Sequence, residues 1–209
     1  QAETVLYRII RGTGIRGLAG MDQRRRDGII RPMLHMDRSM VLRYAALEGI
    51  PHVEDRTNAD VRHDRNRIRH DIMPLMERIN PRIAQSITAL AAIARLEGEA
   101  LEGMASGLER TARKWDWGLS RAYLIPALRT AHEAVIRRVI ITVMASMTGE
   151  ERGIDASQVD AVLAVLAGER SAHAVRRKVR VSRDKDLLVF QRMGEGPWYA
   201  REVSTGGGL

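Results

Sequence analysis

The sequence predicts an α/β domain, followed by a helical region and a small basic α+β domain. Up to residue 80, apolar segments of helical and of extended character alternate, which is typical of an open α/β sheet. A stretch that begins at Pro81 repeats its apolar residues at helical spacing, and beyond Gly168 the apolar period falls to two. The predicted divisions are an α/β domain over 1–80, a long-helix region over 81–150, an α+β domain over 151–193 and a flexible tail over 194–209.

Composition and charge indicate an anionic partner. The chain has 209 residues, of which 44% are hydrophobic, with a formal net charge of +8 and a pI near 10.6. Its cations are mostly arginines, which suit bidentate phosphate contacts, so we expect nucleic acid rather than a membrane as the partner. The absence of cysteine excludes disulfides, thiolate zinc sites and cysteine nucleophiles. Because no apolar run is long enough to span a bilayer and no secretory signal is recognisable, we expect a cytoplasmic protein.

The first eleven residues predict a helix that ends at Gly12. Its apolar face consists of Ala2, Val5, Leu6, Ile9 and Ile10. No capping residue precedes Gln1, so we expect that earlier parts of the domain are missing from this sequence. On the opposite face Glu3, Tyr7 and Arg11 recur at four-residue steps. This row either belongs to a functional site, with a carboxylate and a guanidinium at opposite ends of the helix, or is a salt-bridge ladder at the surface.

The next segments predict a loop, a strand, a helix and a second strand. Residues 12–20 contain four glycines, which let a backbone approach a ligand closely but more often simply form a turn. A buried strand is predicted over 29–34, and a helix is predicted from the capping Asp37 to a stop at Gly49. A second strand is predicted near Val53. Since ligands of open α/β sheets bind beyond the carboxyl ends of the strands, the residues after Val53 form a candidate site.

Residues 60–74 predict an arginine-bearing helix. A row at three- and four-residue steps consists of Arg62, Arg65, Arg69 and Met73. Asn66 and His70 lie one turn apart on a second face. Such a surface suits an anionic ligand, and a solvated basic helix face is the alternative interpretation.

Five short motifs follow one another along residues 1–70. They are Gln1-Ala2-Glu3-Thr4, Arg11-Gly12-Thr13-Gly14 with Gly17-Leu18-Ala19-Gly20-Met21, Ile30-Arg31-Pro32, Glu54-Asp55-x-x-Asn58, and Arg65-Asn66-Arg67-Ile68-Arg69-His70. In this order and at these distances they resemble the tRNA(Ile)-lysidine synthetase family, and the last motif is the most specific. The helical middle and the small C-terminal part also fit that family, so the resemblance covers roughly residues 1–192.

The resemblance implies an ATP-pyrophosphatase fold of the adenine-nucleotide α-hydrolase type, with residues 1–80 as the C-terminal half of a PP-loop catalytic domain. It also implies a two-step reaction. ATP adenylates the C2 carbonyl oxygen of the wobble cytidine, and the amine of lysine then displaces AMP to give lysidine. The implied cofactors are ATP and Mg²⁺, and the implied partners are tRNA(Ile) with a CAU anticodon and free L-lysine. A homodimer is left open.

The resemblance also implies roles for individual residues. The catalytic candidates are Glu3, Arg65 and Arg69, with Glu3 organising magnesium or the lysine amine. The substrate-binding candidates are Asp55, Asn58, Asn66, Arg67 and His70. The nucleotide-binding candidates are Arg11, Gly12 and Gly14. The tRNA-binding candidates are Arg176, Arg177, Lys178 and Arg180, for which a basic solvated strand edge is the alternative. No metal-ligand set is assigned.

The sequence departs from the family in two ways. It contains neither the Ser-Gly-Gly-x-Asp-Ser phosphate loop nor the acidic residues that precede Gln-Ala-Glu-Thr in family members, so we expect no adenylation by these residues alone. His52 stands where tryptophan is expected. A non-catalytic basic helical module that binds RNA is therefore kept as the alternative function.

The remaining two thirds of the chain predict helices and then a hairpin. Helices are expected from Pro81 onward, over 120–128, over 132–147 and from the capping Asp155 to Gly168. His132-Glu133 does not continue into a zinc-protease motif, because Ile136 occupies the position of the second histidine. The alternation over 179–190 predicts a hairpin with a basic surface.

Overall fold

The computed structural model of the chain describes residues 1–25, 27–34, 36–51, 64–149 and 154–194. These residues belong to two compact units, 1–100 and 101–209. The domain boundaries predicted at residues 80 and 150 stay predictions. None of the described helices is both long enough and apolar enough to cross a lipid bilayer.

The described elements of the first unit are helices. They are α1 (Ala2–Ile10), α2 (Ile15–Leu18), α3 (Arg38–Leu47), α4 (Asp64–Arg67), a π-helical turn (Ile68–Ile72), α5 (Met73–Ile79) and the beginning of α6 (Ile83–Ala112). The predicted start and stop signals are confirmed for α1 and α3. Gly12 follows α1 with a φ of +76°, the Asp37 carboxylate accepts a hydrogen bond from the Met40 amide at 2.8 Å, and Gly49 has a φ of +62°.

The strand predicted over 29–34 is wrong. This segment forms turns, with one isolated antiparallel bridge between Arg24 and Ile30, and the side chains of Ile29, Ile30 and Met33 are exposed. An apolar run becomes a buried strand only where neighbouring strands complete its hydrogen bonds, and the described residues of the first unit provide no such ladder. The strand predicted near Val53 lies outside the described residues.

The core of the first unit joins α1 to the helical segment 64–79 and to the first turns of α6. It consists of Ala2, Val5, Leu6, Ile68, Met73, Ile87 and Ala91. Val5 is fully buried, and burial of one such side chain contributes roughly 1.5–3 kcal/mol relative to exposure. This packing brings the first and the last of the five motifs together.

The second unit combines an antiparallel sheet with helices. In chain order its elements are the end of α6, β1 (Arg113–Asp116), β2 (Ser120–Leu124), α7 (Ile125–Leu128), α8 (Glu133–Thr148), α9 (Ala156–Ala167), β3 (Ala172–Val175), β4 (Val179–Asp184) and β5 (Leu187–Arg192). The strand order is β1-β2-β5-β4-β3, and neighbouring strands are antiparallel. The predicted hairpin of β4 and β5 and the predicted helices α6, α8 and α9 are confirmed.

The helix predicted over 120–128 is wrong in its first half, because Ser120–Leu124 is a strand that pairs with both β1 and β5. Helices α8 and α9 pack against one face of the sheet. That face supplies the buried residues Tyr123, Val175, Val179, Val181, Leu188 and Phe190. Residues of the opposite face, such as Ala174 and Arg180, are exposed.

Candidate functional site

The centre of the candidate site is an ion pair between Glu3 and Arg69. Arg69 Nε donates to Glu3 Oε1 at 2.8 Å, and Arg69 Nη2 donates to Glu3 Oε2 at 2.7 Å. This is the bidentate geometry in which arginine binds carboxylates most strongly. Each side chain is 36% exposed, so the pair lies at the surface of the first unit. The hydrogen bonds that Arg69 donates to Glu3 raise the pKa of Arg69, and the pair therefore stays charged.

A π-helical turn positions Arg69. The Met73 amide donates to the Ile68 carbonyl, five residues earlier, and Ile68 is buried against α1. The helix expected over 60–74 is confirmed for Asp64–Arg67 and from Met73 onward, but the π-helical turn interrupts it, so a spacing of four no longer defines one face. Arg62 lies outside the described residues. Arg65 lies before the turn and is exposed, whereas Arg69 is half-buried. Such turns are frequent at functional sites, and the sequence contains no signal for this one.

The loop after α1 is held through its carbonyl groups. The Arg8 guanidinium donates to the Gly17 and Gly20 carbonyls at 3.1 and 2.6 Å. From α6, the Arg95 guanidinium donates to the Ala19 and Met21 carbonyls at 2.8 and 2.9 Å. Sequence reasoning missed both arginines. The contacts of Arg8 span 9 and 12 residues and those of Arg95 span 74 and 76 residues, and neither separation leaves a helical or strand periodicity in the sequence.

Gln1 fixes the end of the same loop. Its side chain donates to the Met21 carbonyl at 3.1 Å and accepts from the Met21 amide at 3.0 Å, which imitates a pair of strand hydrogen bonds. Gly20 has a φ of +69°, and a Cβ at this position would lie 2.7 Å from the Gln1 side chain. Only glycine satisfies both conditions. The motifs at 1–4 and 17–21 are therefore linked by direct contact.

The predicted nucleotide-binding residues lie at the exposed end of α1. Arg11 Nη1 donates to the Tyr7 hydroxyl at 2.7 Å, and the guanidinium lies 5.4 Å from the centre of the Tyr7 ring. Gly12 and Gly14 are exposed, with no neighbouring atom within 4 Å of a Cβ at either position. Glu3 and Arg11 are about 12 Å apart along the helix axis.

The predicted substrate-binding residues are only partly described. Asn66 is half-buried, while Arg67 and His70 are exposed, all within or next to the π-helical turn. Asp55 and Asn58 lie outside the described residues. In the sequence, Asn66, Arg67 and His70 are thus all within three residues of Arg69.

The chemistry of the site follows from a carboxylate that an arginine holds in place. Arg69 donates to both oxygens of Glu3, and this geometry fixes the orientation of the carboxylate. Within the described ranges, no three histidines, aspartates or glutamates are arranged to hold a metal ion.

The predicted tRNA-binding residues form a tight turn in the second unit. The Lys178 amide donates to the Val175 carbonyl at 2.9 Å, and the central Arg176 and Arg177 have φ values of +50° and +56°. These angles define a type I′ turn, which favours Asn-Gly, so two arginines are held there in a conformation that costs about 1 kcal/mol or more each. Arg180 follows on β4 and is exposed.

The family model for the PP-loop domain matches residues 1–76. Among curated proteins, the tRNA(Ile)-lysidine synthase of Solibacter usitatus (strain Ellin6076) is 35% identical over 166 residues, which cover 78% of this chain and 37% of that protein. The proteins of the same name from Thermotoga sp. (strain RQ2) and Azoarcus sp. (strain BH72) are 45% and 37% identical over 94 and 110 residues. These matches cover 45% and 50% of this chain, and 22% and 25% of those relatives. The chain thus spans well under half the length of the relatives it matches.

Proposed function

Since the chain belongs to the tRNA(Ile)-lysidine synthetase family, we propose that it takes part in the ATP-dependent ligation of L-lysine to C2 of the wobble cytidine in tRNA(Ile) with a CAU anticodon. The C2 carbonyl oxygen attacks the α-phosphorus of ATP and pyrophosphate leaves. The lysine amine then attacks C2, loses its proton, and AMP departs with the oxygen. We place this reaction in the cytoplasm, where tRNA, ATP and lysine meet.

The main observation that supports the proposal is the bidentate contact between Arg69 and Glu3. These residues belong to the two motifs at opposite ends of the PP-loop match, and they are 66 positions apart in the chain. Their contact supports a single site rather than two unrelated charged surfaces. In this site Glu3 accepts hydrogen bonds from the lysine ammonium, and Arg69 fixes the carboxylate in place while its positive charge faces the reacting phosphate.

The other predicted residues surround this pair. The exposed Arg65 binds the phosphates of ATP, and Arg11, Gly12 and Gly14 contact the nucleotide at the far end of α1. Asn66, Arg67 and His70 contact the cytidine or its tRNA backbone, with Asp55 and Asn58 as further substrate contacts. The turn at 176–178, with Arg180, holds the tRNA by its phosphates.

These 209 residues do not form lysidine by themselves, because they contain no Ser-Gly-Gly-x-Asp-Ser phosphate loop. The test incubates the chain with tRNA(Ile), lysine, ATP and Mg²⁺, and measures tRNA binding and lysidine formation separately. We expect tRNA to bind and no lysidine to form. Lysidine formation would contradict the inactivity of the chain, and an absence of tRNA binding would contradict its participation in the reaction.

A non-catalytic RNA-binding module is the second candidate, favoured by the strained basic turn at 176–178. Arg69→Ala distinguishes the two functions in a protein that also carries the phosphate loop. If the first function is right, adenylation falls while tRNA binding persists. If tRNA binding is lost while ATP is still turned over, Arg69 belongs to a docking surface.

A further inference from the structure

Three segments of the second unit meet along one end of its sheet. The Arg192 amide at the end of β5 donates to the Leu119 carbonyl in the β1–β2 turn at 2.8 Å. The next amide, of Met193, donates to the Lys178 carbonyl at 2.6 Å. The tip of the β1–β2 hairpin and the basic turn at 176–178 are therefore two strand spacings apart, about 10 Å.

The hairpin tip carries two stacked tryptophans. The rings of Trp115 and Trp117 are 4.5 Å apart between centres and 14° from parallel. Trp117 is 72% exposed, so one side of the stack remains available to solvent. Trp115 pairs with Ala122 in the register of the sheet, and the same row continues through Val189, Ser182 and Ala172. Ala122 is buried in this row, whereas Val189, Ser182 and Ala172 are half-buried.

A network of ion pairs fixes the hairpin from its other side. Arg113 pairs with Glu109 of α6 at 2.6 Å, and Arg121 Nε lies 2.8 Å from Asp116 Oδ2. Asp116 also accepts from the Gly118 amide at 2.9 Å, next to Trp117. The stack is therefore held in place before any ligand arrives, which lowers the entropic cost of binding.

We propose that this end of the sheet binds an unpaired nucleotide of RNA, with its base stacked on Trp117 and its flanking phosphates on the turn at 176–178. The proposal rests on the proposed function, because it assumes that the chain binds tRNA. An aromatic face next to several cations fits a base attached to an anionic backbone, since every base has a π face. A base within a duplex has both faces covered by its neighbours and cannot stack in this way.

Two arginines with positive φ support the same site. Each adopts a backbone conformation that costs about 1 kcal/mol or more, and both side chains are exposed in the turn at this end of the sheet. Arg180, exposed on β4, adds a third cation on the face that carries the tryptophans. A neutral apolar ligand would gain nothing from these charges.

The test compares a single-stranded 12-nucleotide RNA with a blunt duplex of the same sequence, each titrated into the 209-residue chain. A Trp198→Phe background leaves the stacked pair as the only tryptophans. We expect the single strand, but not the duplex, to quench their fluorescence. Trp117→Ala should weaken single-strand binding roughly ten-fold or more, and Trp117→Phe should retain most of the affinity.

The controls separate this inference from the proposed function. Tyr44→Ala removes an aromatic side chain of similar exposure from the first unit and should leave affinity unchanged. If Trp117→Ala and Trp117→Phe both bind like the wild type while Arg177→Gln weakens binding, the stacking proposal is overturned and the tRNA-binding role stands. If the unaltered chain binds neither the single-stranded RNA nor tRNA, both the stacking proposal and the proposed function are contradicted.

Discussion

At the scale of single residues, the pair of Glu3 and Arg69 decides how the candidate site is understood. Each was predicted as a catalytic residue on its own, with Glu3 organising magnesium or the lysine amine. The structure instead makes them one unit, in which Arg69 orients the carboxylate through two hydrogen bonds. A change at either residue should therefore affect the function of both.

A double-mutant cycle on Glu3→Gln and Arg69→Lys tests this pairing. Lysine keeps the charge but loses the bidentate geometry. Because both side chains are about one-third exposed, we expect a coupling energy of about 1 kcal/mol or less in urea unfolding. The pair of Arg25 and Asp27 is a matched control, since it is more exposed, at 50% and 46%, and should couple more weakly. Additive effects at Glu3 and Arg69 would contradict the pairing.

His173 gives the second unit a pH-dependent stability. Arg170 Nη1 lies 3.3 Å from His173 Nδ1, and since a guanidinium only donates, the proton of the neutral ring is on Nε2. Burial, and then the charge of Arg170, lower the pKa of His173 below its ordinary value of 6.5. The neutral ring therefore contributes stability that is fully present above about pH 6.5 and is lost as the pH falls through the folded-state pKa.

His173→Gln should consequently flatten the dependence of the unfolding free energy on pH below about pH 6.5. Urea unfolding of the wild type and of the variant at about pH 7.5 and about pH 5 measures this effect. The wild type should lose more stability than the variant between the two conditions. Equal losses would show that His173 does not contribute to the acid sensitivity.

At the scale of elements, predictions succeeded where local chemistry decides the structure. Asp37 and Asp155 each accept hydrogen bonds at the start of a helix, and Gly12 and Gly168 have positive φ after the end of one. These signals involve residues within four positions of one another. Caps and stops can therefore be read directly from the sequence.

Predictions failed where distant residues decide the structure. Ser120–Leu124 was predicted as the start of a helix, but it is a strand that pairs with β5, more than 60 residues further along the chain. The apolar run over 29–34 has no described sheet to join and forms turns. At the site, the sequence identified Glu3 and Arg69, but it could not show the π-helical turn that brings them into contact.

The two arginines in the turn between β3 and β4 should increase RNA affinity and lower the stability of the folded state. Replacing Arg176 by Asn and Arg177 by Gly provides the residues that a type I′ turn favours, so we expect the folded state to gain about 1–2 kcal/mol in urea unfolding. RNA affinity should fall because two cations are removed. Lys185→Gly is a matched control, since Lys185 also has a positive φ, of +51°, in the turn at the opposite end of β4. The Lys185→Gly variant should be more stable than the wild type, with unchanged affinity for RNA. A loss of stability in the Arg176→Asn, Arg177→Gly double variant would contradict the inference that the turn is strained.

At the scale of the whole molecule, the two units have separate proposed tasks. The described part of 1–100 holds the pair of Glu3 and Arg69, and the described part of 101–209 holds the basic turn and the tryptophan stack. Charge connects these tasks, because a net charge of +8 attracts tRNA to any part of the surface. The proposal for the second unit therefore needs a measurement that distinguishes local phosphate contacts from general attraction.

The salt dependence of tRNA binding provides that measurement. A cation that neutralises a phosphate releases a counterion, which contributes about one unit to the slope of log affinity against log salt concentration, whereas a distant cation contributes little. Replacing Arg176, Arg177 and Lys178 by glutamine should therefore flatten the slope by roughly two to three units. The single variants Lys178→Gln and Lys185→Gln remove the same charge at opposite ends of β4, and only the first should reduce the slope. Equal slopes for these two variants would mean that tRNA is attracted by net charge, and the turn would then have no specific part in binding it.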